Sequence, residues 1–570
     1  MPIISRAVSS PLKARSGGGE LYGFPPSPGA DLAEWLGTPL GVSNTITRTK
    51  SRTAQHNKTV DATPGLHDKL LASAHHHLER AAGQKGIFVH DVVIHGIRVR
   101  ATTDSPHLYD FWVDNWHSVE EWKRLTGDAP GAPRVRVYAL LGVKDEAEAA
   151  YYSRESNTIL FFNTSYYGQL KSWVLGAVGR ILASEYGIHS IHGACVEKDG
   201  KGVLYIAPTG TGKSTSSYGL MAYPKTRFHS DDWVYIRYAY STRDGRRVLV
   251  YEAEGSDASK ARGYQVYRWI ERHALDQAAR LRAQTLDNRE LQLTLGELDL
   301  ARPIEAYAYT SEKVFYLRTN LAENFPAATC ELLASKQENV PDISEQFLAE
   351  RSATLDEMLE GLAAARAEAG CEMLKGMSVR KVREICGRLV AFENARAMLD
   401  MAKVLPAERV YRNPLEPVRL AVVMLLKRDL DDPVVLSHAV LEPFMERLLI
   451  GETPDKKRET AYNAYRAVDD AAERSFIDRI EKSATAERPL YKQFGESTDA
   501  PESLREEFEL FRVLYNAART FDLNTILQRD PRVHDKPEAV RRTIALIARI
   551  LEKEPVGIRL TLENYVEYIS

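Results

Sequence analysis

The stretch Ala207-Pro-Thr-Gly-Thr-Gly-Lys-Ser-Thr215 constrains this chain more than any other. It follows the short apolar run Val203-Leu-Tyr-Ile206, and Ser214 to Met221 can start a helix. Strand, Gly/Thr-rich turn and helix in that order let backbone N–H groups of the turn and of the helix N-terminus converge on phosphate oxygens. Gly210 and Gly212 open the backbone, Lys213 brings a point charge to the β- and γ-phosphates, and the Ser214 hydroxyl is a magnesium ligand. Thr209, Thr211 and Thr215 complete the set. The pattern departs from the usual one at Ala207, where Gly is common. The stretch reads as a nucleotide triphosphate site.

A second stretch supports it. Phe228-His-Ser-Asp231-Asp232-Trp233 places two carboxylates at the end of a possible strand. A carboxylate pair close to a phosphate loop is what a magnesium nucleotide requires, although an Asp-Asp pair alone is more often a solvated turn.

Composition narrows the partners. With 75 basic and 78 acidic residues in 570, no bulk charge favours nucleic acid or a membrane surface, so partners have to be argued from sites. Hydrophobic residues make up 44% of the chain, enough for real cores in two to four domains. Cys195, Cys330, Cys371 and Cys386 stand too far apart for a disulfide framework or a zinc knuckle, which fits a reducing cytosol. No apolar run reaches the roughly 18 residues of a membrane span, and the N-terminus lacks an apolar signal core. A cytoplasmic protein is expected.

Along the chain, residues 1–65 are rich in Ser, Gly, Pro, Thr and Arg and read as a disordered tail. Phe88–Ile94 and Ile97–Arg100 read as strands joined by His95-Gly96, followed by an aromatic cluster from Phe111 to Trp122. Val135–Leu141 and Thr158–Phe162 continue a strand-rich domain, closed by a helix over Tyr167–Ser184. Arg247–Glu252 and Val314–Leu317 are strand-like, residues from about 330 to 390 read as a helical insertion, and Leu420–Leu426 as a buried strand. The remainder to residue 553 reads mainly as amphipathic helix.

Taken together and in this order, the motifs resemble those of ATP-dependent phosphoenolpyruvate carboxykinase and, more broadly, the carboxykinase-like kinases that include HPr kinase/phosphorylase. The stretches concerned are Tyr167-Gly-Gln-Leu-Lys171, Gly187-Ile-His-Ser-Ile-His192, the phosphate loop, Asp231-Asp232, Glu254-Gly-Ser-Asp-Ala-Ser-Lys260 and Glu393-Asn-Ala-Arg396. The resemblance implies metal ligands at Lys171, His192, Asp231, Asp232 and Ser214, with Glu254 ordering a lysine or a metal-bound water. It implies Lys260 on the nucleotide phosphates and Arg396 on the transferred phosphoryl group. The substrate loop of the carboxykinases is missing, and Arg98 and Arg100 are its nearest candidates.

The resemblance implies an α/β protein with a two-lobed carboxykinase-like fold. Its parts would be a mixed-sheet N-terminal domain over residues 66–186, a P-loop nucleotide-binding domain over 187–455 and a helical C-terminal portion over 456–570. The expected function is ATP-dependent phosphoryl transfer, with magnesium and a possible role for manganese, to a small-molecule or peptide/protein acceptor. Lys213, Asp231, Asp232, Lys260 and Arg396 would carry the chemistry. Two alternatives stay open: a carboxykinase converting oxaloacetate to phosphoenolpyruvate, and a nucleotide-binding regulatory protein with weak or no catalysis.

Overall fold

A computed structural model of the chain describes residues 42–46, 55–59, 63–81, 86–164, 167–186, 188–207, 211–245, 247–253, 280–285, 290–294, 299, 301–318, 344–353, 355–356, 359–360, 376–391, 396–450, 471–553 and 557–570. It is a mixed α/β structure whose sheets combine parallel and antiparallel pairs. Contacts divide it into two compact units. The first comprises residues 1–56, 60–171 and 312–410, and the second 57–59, 172–311 and 411–570.

The first unit is built on a hairpin. Phe88–Ile94 and Ile97–Thr103 pair antiparallel through His95 and Gly96, both at positive φ (45° and 82°), the two-residue turn whose twist matches that of the strands. Ile97, Val99, Ala101 and Thr103 are buried while Arg98, Arg100 and Thr102 alternate outward. Val135–Leu140 joins Ile97–Thr103 in parallel, Thr158–Phe162 joins Val135–Leu140 in parallel, and Ala149–Ser153 pairs antiparallel with Thr158–Phe162. Over this sheet lies the helix Leu66–Ala81, whose Leu70 and Ala74 pack on Leu140, Leu160 and Phe162.

The aromatic cluster seats two short helices. Ser105 caps Pro106–Asn115 by accepting from Leu108 N, and Ser118 with Glu121 forms a reciprocal capping box on Val119–Thr126, a device that contributes about 1 kcal/mol. Phe111, Trp112, Trp116 and Trp122 are all buried, with Trp112 and Trp116 edge to face at 4.8 Å. A separate three-stranded antiparallel sheet sets Arg396–Asp400 between Val42–Ile46 and Val314–Arg318. Val42–Ile46 comes from the Ser/Gly/Pro-rich leading region and owes its strand form to pairing with Arg396–Asp400. In the region from 330 to 390, Glu345–Glu350 and Val379–Ala391 are helices.

The second unit is organised by three parallel strands. Lys201–Ile206 pairs with Val418–Lys427, which pairs with Arg519–Asn524. Val418–Lys427 is buried along nearly its whole length, as a central parallel strand has to be. Antiparallel strands extend the sheet. His189–Lys198 flanks Lys201–Ile206, then come Trp233–Ser241 and Arg247–Ala253, while Val434–His438 and Arg559–Thr561 lie beyond Arg519–Asn524. Leu204, Ile206, Val423 and Leu425 share one core with Phe444 of the helix Leu441–Ile450 and with Phe511 and Leu514 of the helix Glu502–Ala517. The helix Lys213–Leu220 runs back along His189–Lys198 and Lys201–Ile206, and Lys536–Glu552 packs on it.

The remainder of the chain to residue 553 reads in the sequence mainly as amphipathic helix. Arg519–Asn524 is instead a strand inside the sheet, held by its long-range pairing with Val418–Lys427. No helix among the described residues is long and apolar enough to cross a membrane.

Candidate functional site

The site grows from the carboxyl end of Lys201–Ile206. Residues Thr209 and Gly210 lie outside the described residues, and the chain re-enters at Thr211, fully buried, and Gly212. Gly212 is the N-cap of the helix Lys213–Leu220 and has φ 100°, a conformation that only glycine adopts without strain. No side chain caps this helix. Among the described residues, the N–H groups of Lys213, Ser214 and Thr215 open the first turn with no side-chain cap bond at the N-cap, an arrangement that suits an anion. Ser214 and Thr215 are partly exposed. Because the three central strands are parallel, Ile206, Lys427 and Asn524 end on the same side of the sheet. Strand carboxyl ends are where open α/β sheets bind ligands.

Three side chains meet beside the loop. Lys213 Nζ donates to Asp232 Oδ1 at 2.9 Å, and His192 Nε2 donates to the same oxygen at 3.0 Å. Trp233 lies tilted against the His192 ring at 5.0 Å. Asp232 is positioned by the turn between Thr226–Ser230 and Trp233–Ser241, and its carbonyl accepts from Gly193 N at 2.9 Å. A side chain at 193 would press within 2.9 Å of the Tyr205 carbonyl, so the glycine after His192 is a packing requirement. Asp231 is 3% exposed, whereas the Asp232 carboxylate is 27% exposed. One residue is packed inside and the other faces solvent with two cationic or polar donors on it.

The remaining candidates belong to the first unit or lie beyond the described residues. Glu254 and Lys260 fall in the latter class. Arg396 begins the strand Arg396–Asp400, opposite Ile46 and Arg318. Arg98 and Arg100 both engage Asp91, each with Nε at 2.7 Å from a carboxylate oxygen. Burial alone would raise the Asp91 pKa, but the two guanidiniums outweigh it and hold the carboxyl below its usual range.

Lys171 is buried and bonded to Glu312, Nζ lying 3.0 Å from Oε1 and 2.8 Å from Oε2. Its ammonium also sits 4.1 Å from the centre of the Tyr316 ring. With the Asn115 amide nitrogen turned toward Glu312, it donates to Oε2 at 3.1 Å and the amide oxygen accepts from Trp116 Nε1 at 3.1 Å. In this arrangement the Lys171 nitrogen serves Glu312, and ligating a metal would require exchanging that partner. Glu312 carried no sequence signal, since 141 positions separate it from Lys171.

Neither a protein-family model nor a curated protein matches the chain. The reading therefore rests on the residues themselves. Among the described residues, no three His, Cys, Asp or Glu side chains are grouped so as to hold a metal ion. Magnesium entering with a nucleotide needs less: one or two carboxylates together with phosphate oxygens and water. Asp232, Asp231 and Ser214 offer oxygen donors of the kind magnesium or manganese takes, and His192 adds a nitrogen. Sequence reasoning missed Asn524, the last residue of the unexpected strand, and Thr525, which follows it at the same sheet end.

Proposed function

We propose that the protein is an ATP-dependent phosphotransferase of the carboxykinase-like group, passing the γ-phosphoryl group to a small-molecule or peptide/protein hydroxyl. One observation carries this reading: an uncapped helix N-terminus at the end of a parallel strand, with Lys213 and His192 sharing the exposed carboxylate of Asp232. Phosphoryl transfer needs aligned phosphates, cations along them and an acceptor held in line, with little covalent chemistry from the protein. Gly212 and Lys213 supply backbone N–H groups, and Lys213 adds its charge. Magnesium, when bound with the nucleotide, neutralises charge on the transferred group. Lys213 then trades Asp232 for the phosphates, which frees that carboxylate for the cation. Asp232, the exposed carboxylate of the pair, is the candidate base when it is not holding the cation, while Asp231 is packed inside.

The carboxykinase alternative has less support. It needs a cationic anchor for a substrate carboxylate, and both Arg98 and Arg100 are engaged with Asp91.

The test is ADP release from ATP with magnesium or manganese, with and without oxaloacetate, for the wild type and Lys213→Ala. We expect nucleotide binding that depends on Lys213, turnover lowered on the order of 100-fold or more by the substitution, and no stimulation by oxaloacetate. Equal ATP affinity in Lys213→Ala would sink the nucleotide reading. Formation of phosphoenolpyruvate would establish the carboxykinase instead. Lys213-dependent binding without turnover on any hydroxyl acceptor would leave a regulatory nucleotide binder.

A further inference from the structure

The strand Arg519–Asn524 ends in two residues that reach back across the sheet. The Thr525 hydroxyl donates, shared between the Thr211 carbonyl at 3.1 Å and the Lys427 carbonyl at 3.2 Å. Thr525 N also donates to Lys427 O at 2.9 Å. Asn524 fixes the neighbouring turn: its Oδ1 accepts from Asp429 N, and its Nδ2 donates to the carbonyls of Asp429 and Asp432. One hydroxyl thus ties the loop after Lys201–Ile206 to the end of the central strand Val418–Lys427. The methyl group of Thr525 completes the fit, lying 3.8 Å from where a Cβ on Gly212 would stand.

We propose that Thr525 is a positioning residue for the phosphate loop, acting through the Thr211–Gly212 peptide. In a trans peptide the C=O and the following N–H point in opposite directions. Holding the Thr211 carbonyl on Thr525 therefore aims the Gly212 N–H away from that strand, and this N–H immediately precedes the open first turn of Lys213–Leu220. Gly212 has φ 100° and the helix has no side-chain cap bond at its N-cap, so an outside partner can help set the peptide's orientation. Thr525 supplies one, 314 positions along the chain. The third parallel strand then serves nucleotide binding as well as packing. This inference rests on the phosphotransferase reading.

The experiment measures Mg-ATP affinity by calorimetry on the full chain for the wild type, Thr525→Val, Thr525→Ser and Lys213→Ala, with thermal melting of each without nucleotide. Thr525→Val keeps the shape and loses the donor, and is expected to weaken Mg-ATP about fivefold. Thr525→Ser restores the donor and is expected to bind within about twofold of the wild type, although it loses the methyl contact. A purely structural role predicts the reverse ranking in affinity, or affinity that follows the melting temperature alone; either result overturns the proposal. So does wild-type affinity in Thr525→Val while Lys213→Ala binds poorly. If Lys213→Ala also binds as the wild type does, it is the nucleotide reading that falls, and the role of Thr525 falls with it.

Discussion

Each unit holds a lysine against a carboxylate at nearly the same distance, Lys171 to Glu312 at 2.8 Å and Lys213 to Asp232 at 2.9 Å. Their surroundings separate them. The Lys171 and Glu312 side chains are 5% and 0% exposed, and Tyr316 and Asn115 enclose the pair with further polar contacts. Asp232 keeps 27% of its side chain in solvent, at a strand end beside an uncapped helix. A buried pair whose polar groups are all engaged is committed to the fold, because removing one partner strands a charge. A pair with an open carboxylate can exchange partners at little cost. Contact distance alone does not distinguish a structural ion pair from a functional one; enclosure does.

The largest expected effect tests the enclosed pair. Lys171→Met should destabilise the first unit by about 3–5 kcal/mol, since Glu312 would remain buried without its cation. Peptide-resolved hydrogen exchange under increasing urea reads this unit by unit, so no single unfolding free energy has to be assumed for the whole chain. Adding Glu312→Leu to Lys171→Met should recover most of the loss. If Lys171→Met exchanges as the wild type does, the enclosure argument fails and Lys171 becomes available for another role.

A smaller effect shows where the second unit keeps its own stability. His189 is fully buried next to the Tyr238 hydroxyl, and burial pushes its pKa down to about 3. The folded protein therefore holds this ring neutral where the unfolded chain, titrating near pH 6.5, binds a proton. The sign follows: stability from His189 is complete above about pH 6.5 and is lost as pH falls toward 3, at up to about 1.4 kcal/mol per pH unit. At pH 5 the second unit should be weaker by about 2 kcal/mol on this account. His189→Phe should flatten that part of the pH profile in the same exchange measurement. An unchanged slope would assign the acid response to other groups.

How much of this was legible depends on how local the information is. The hairpin of Phe88–Ile94 and Ile97–Thr103 could be read because the His95-Gly96 turn and the alternation around it are written within a few residues. Val418–Lys427 announced itself by a continuous apolar run, and the helix Lys213–Leu220 by its Gly-Lys-Ser-Thr start. The resemblance set Lys213 on phosphates and His192 with Asp232 on a cation; the contacts of Lys213 and His192 with one Asp232 oxygen, 40 positions from His192, were not written in the motifs. Arg519–Asn524 was not legible, because six residues between two helices owe their strand form to pairing with a partner about a hundred positions away. Arg396 begins a strand for the same reason, with Val42–Ile46 and Val314–Arg318 on either side. Lys171 was legible as a residue of interest but not as the partner of Glu312, since neither periodicity nor a motif encodes a contact between side chains so far apart.

The smallest expected change in stability belongs to the open pair, and it bears most directly on the comparison. Asp232→Asn keeps a carbonyl oxygen that can accept from Lys213 or from His192, and the position is exposed enough for water to replace what is lost. Lys213 itself is buried, but the amide and water replace part of what is lost, so the second unit should weaken by about 1 kcal/mol. Its ligand behaviour should change far more. With the carboxylate gone, Lys213 is no longer held by a competing anion, so ATP without metal should bind at least as tightly as it does to the wild type. Magnesium-dependent turnover should fall on the order of 100-fold, because a carboxylate ligand to the cation is missing. Calorimetry with ATP in chelator and with Mg-ATP separates these two effects, and hydrogen exchange monitors the fold. Should Asp232→Asn unfold the second unit as severely as Lys171→Met unfolds the first, the two lysine pairs are of one kind. The Lys213, Asp232 and His192 group would then be structural, and the phosphotransferase reading would lose its geometric support.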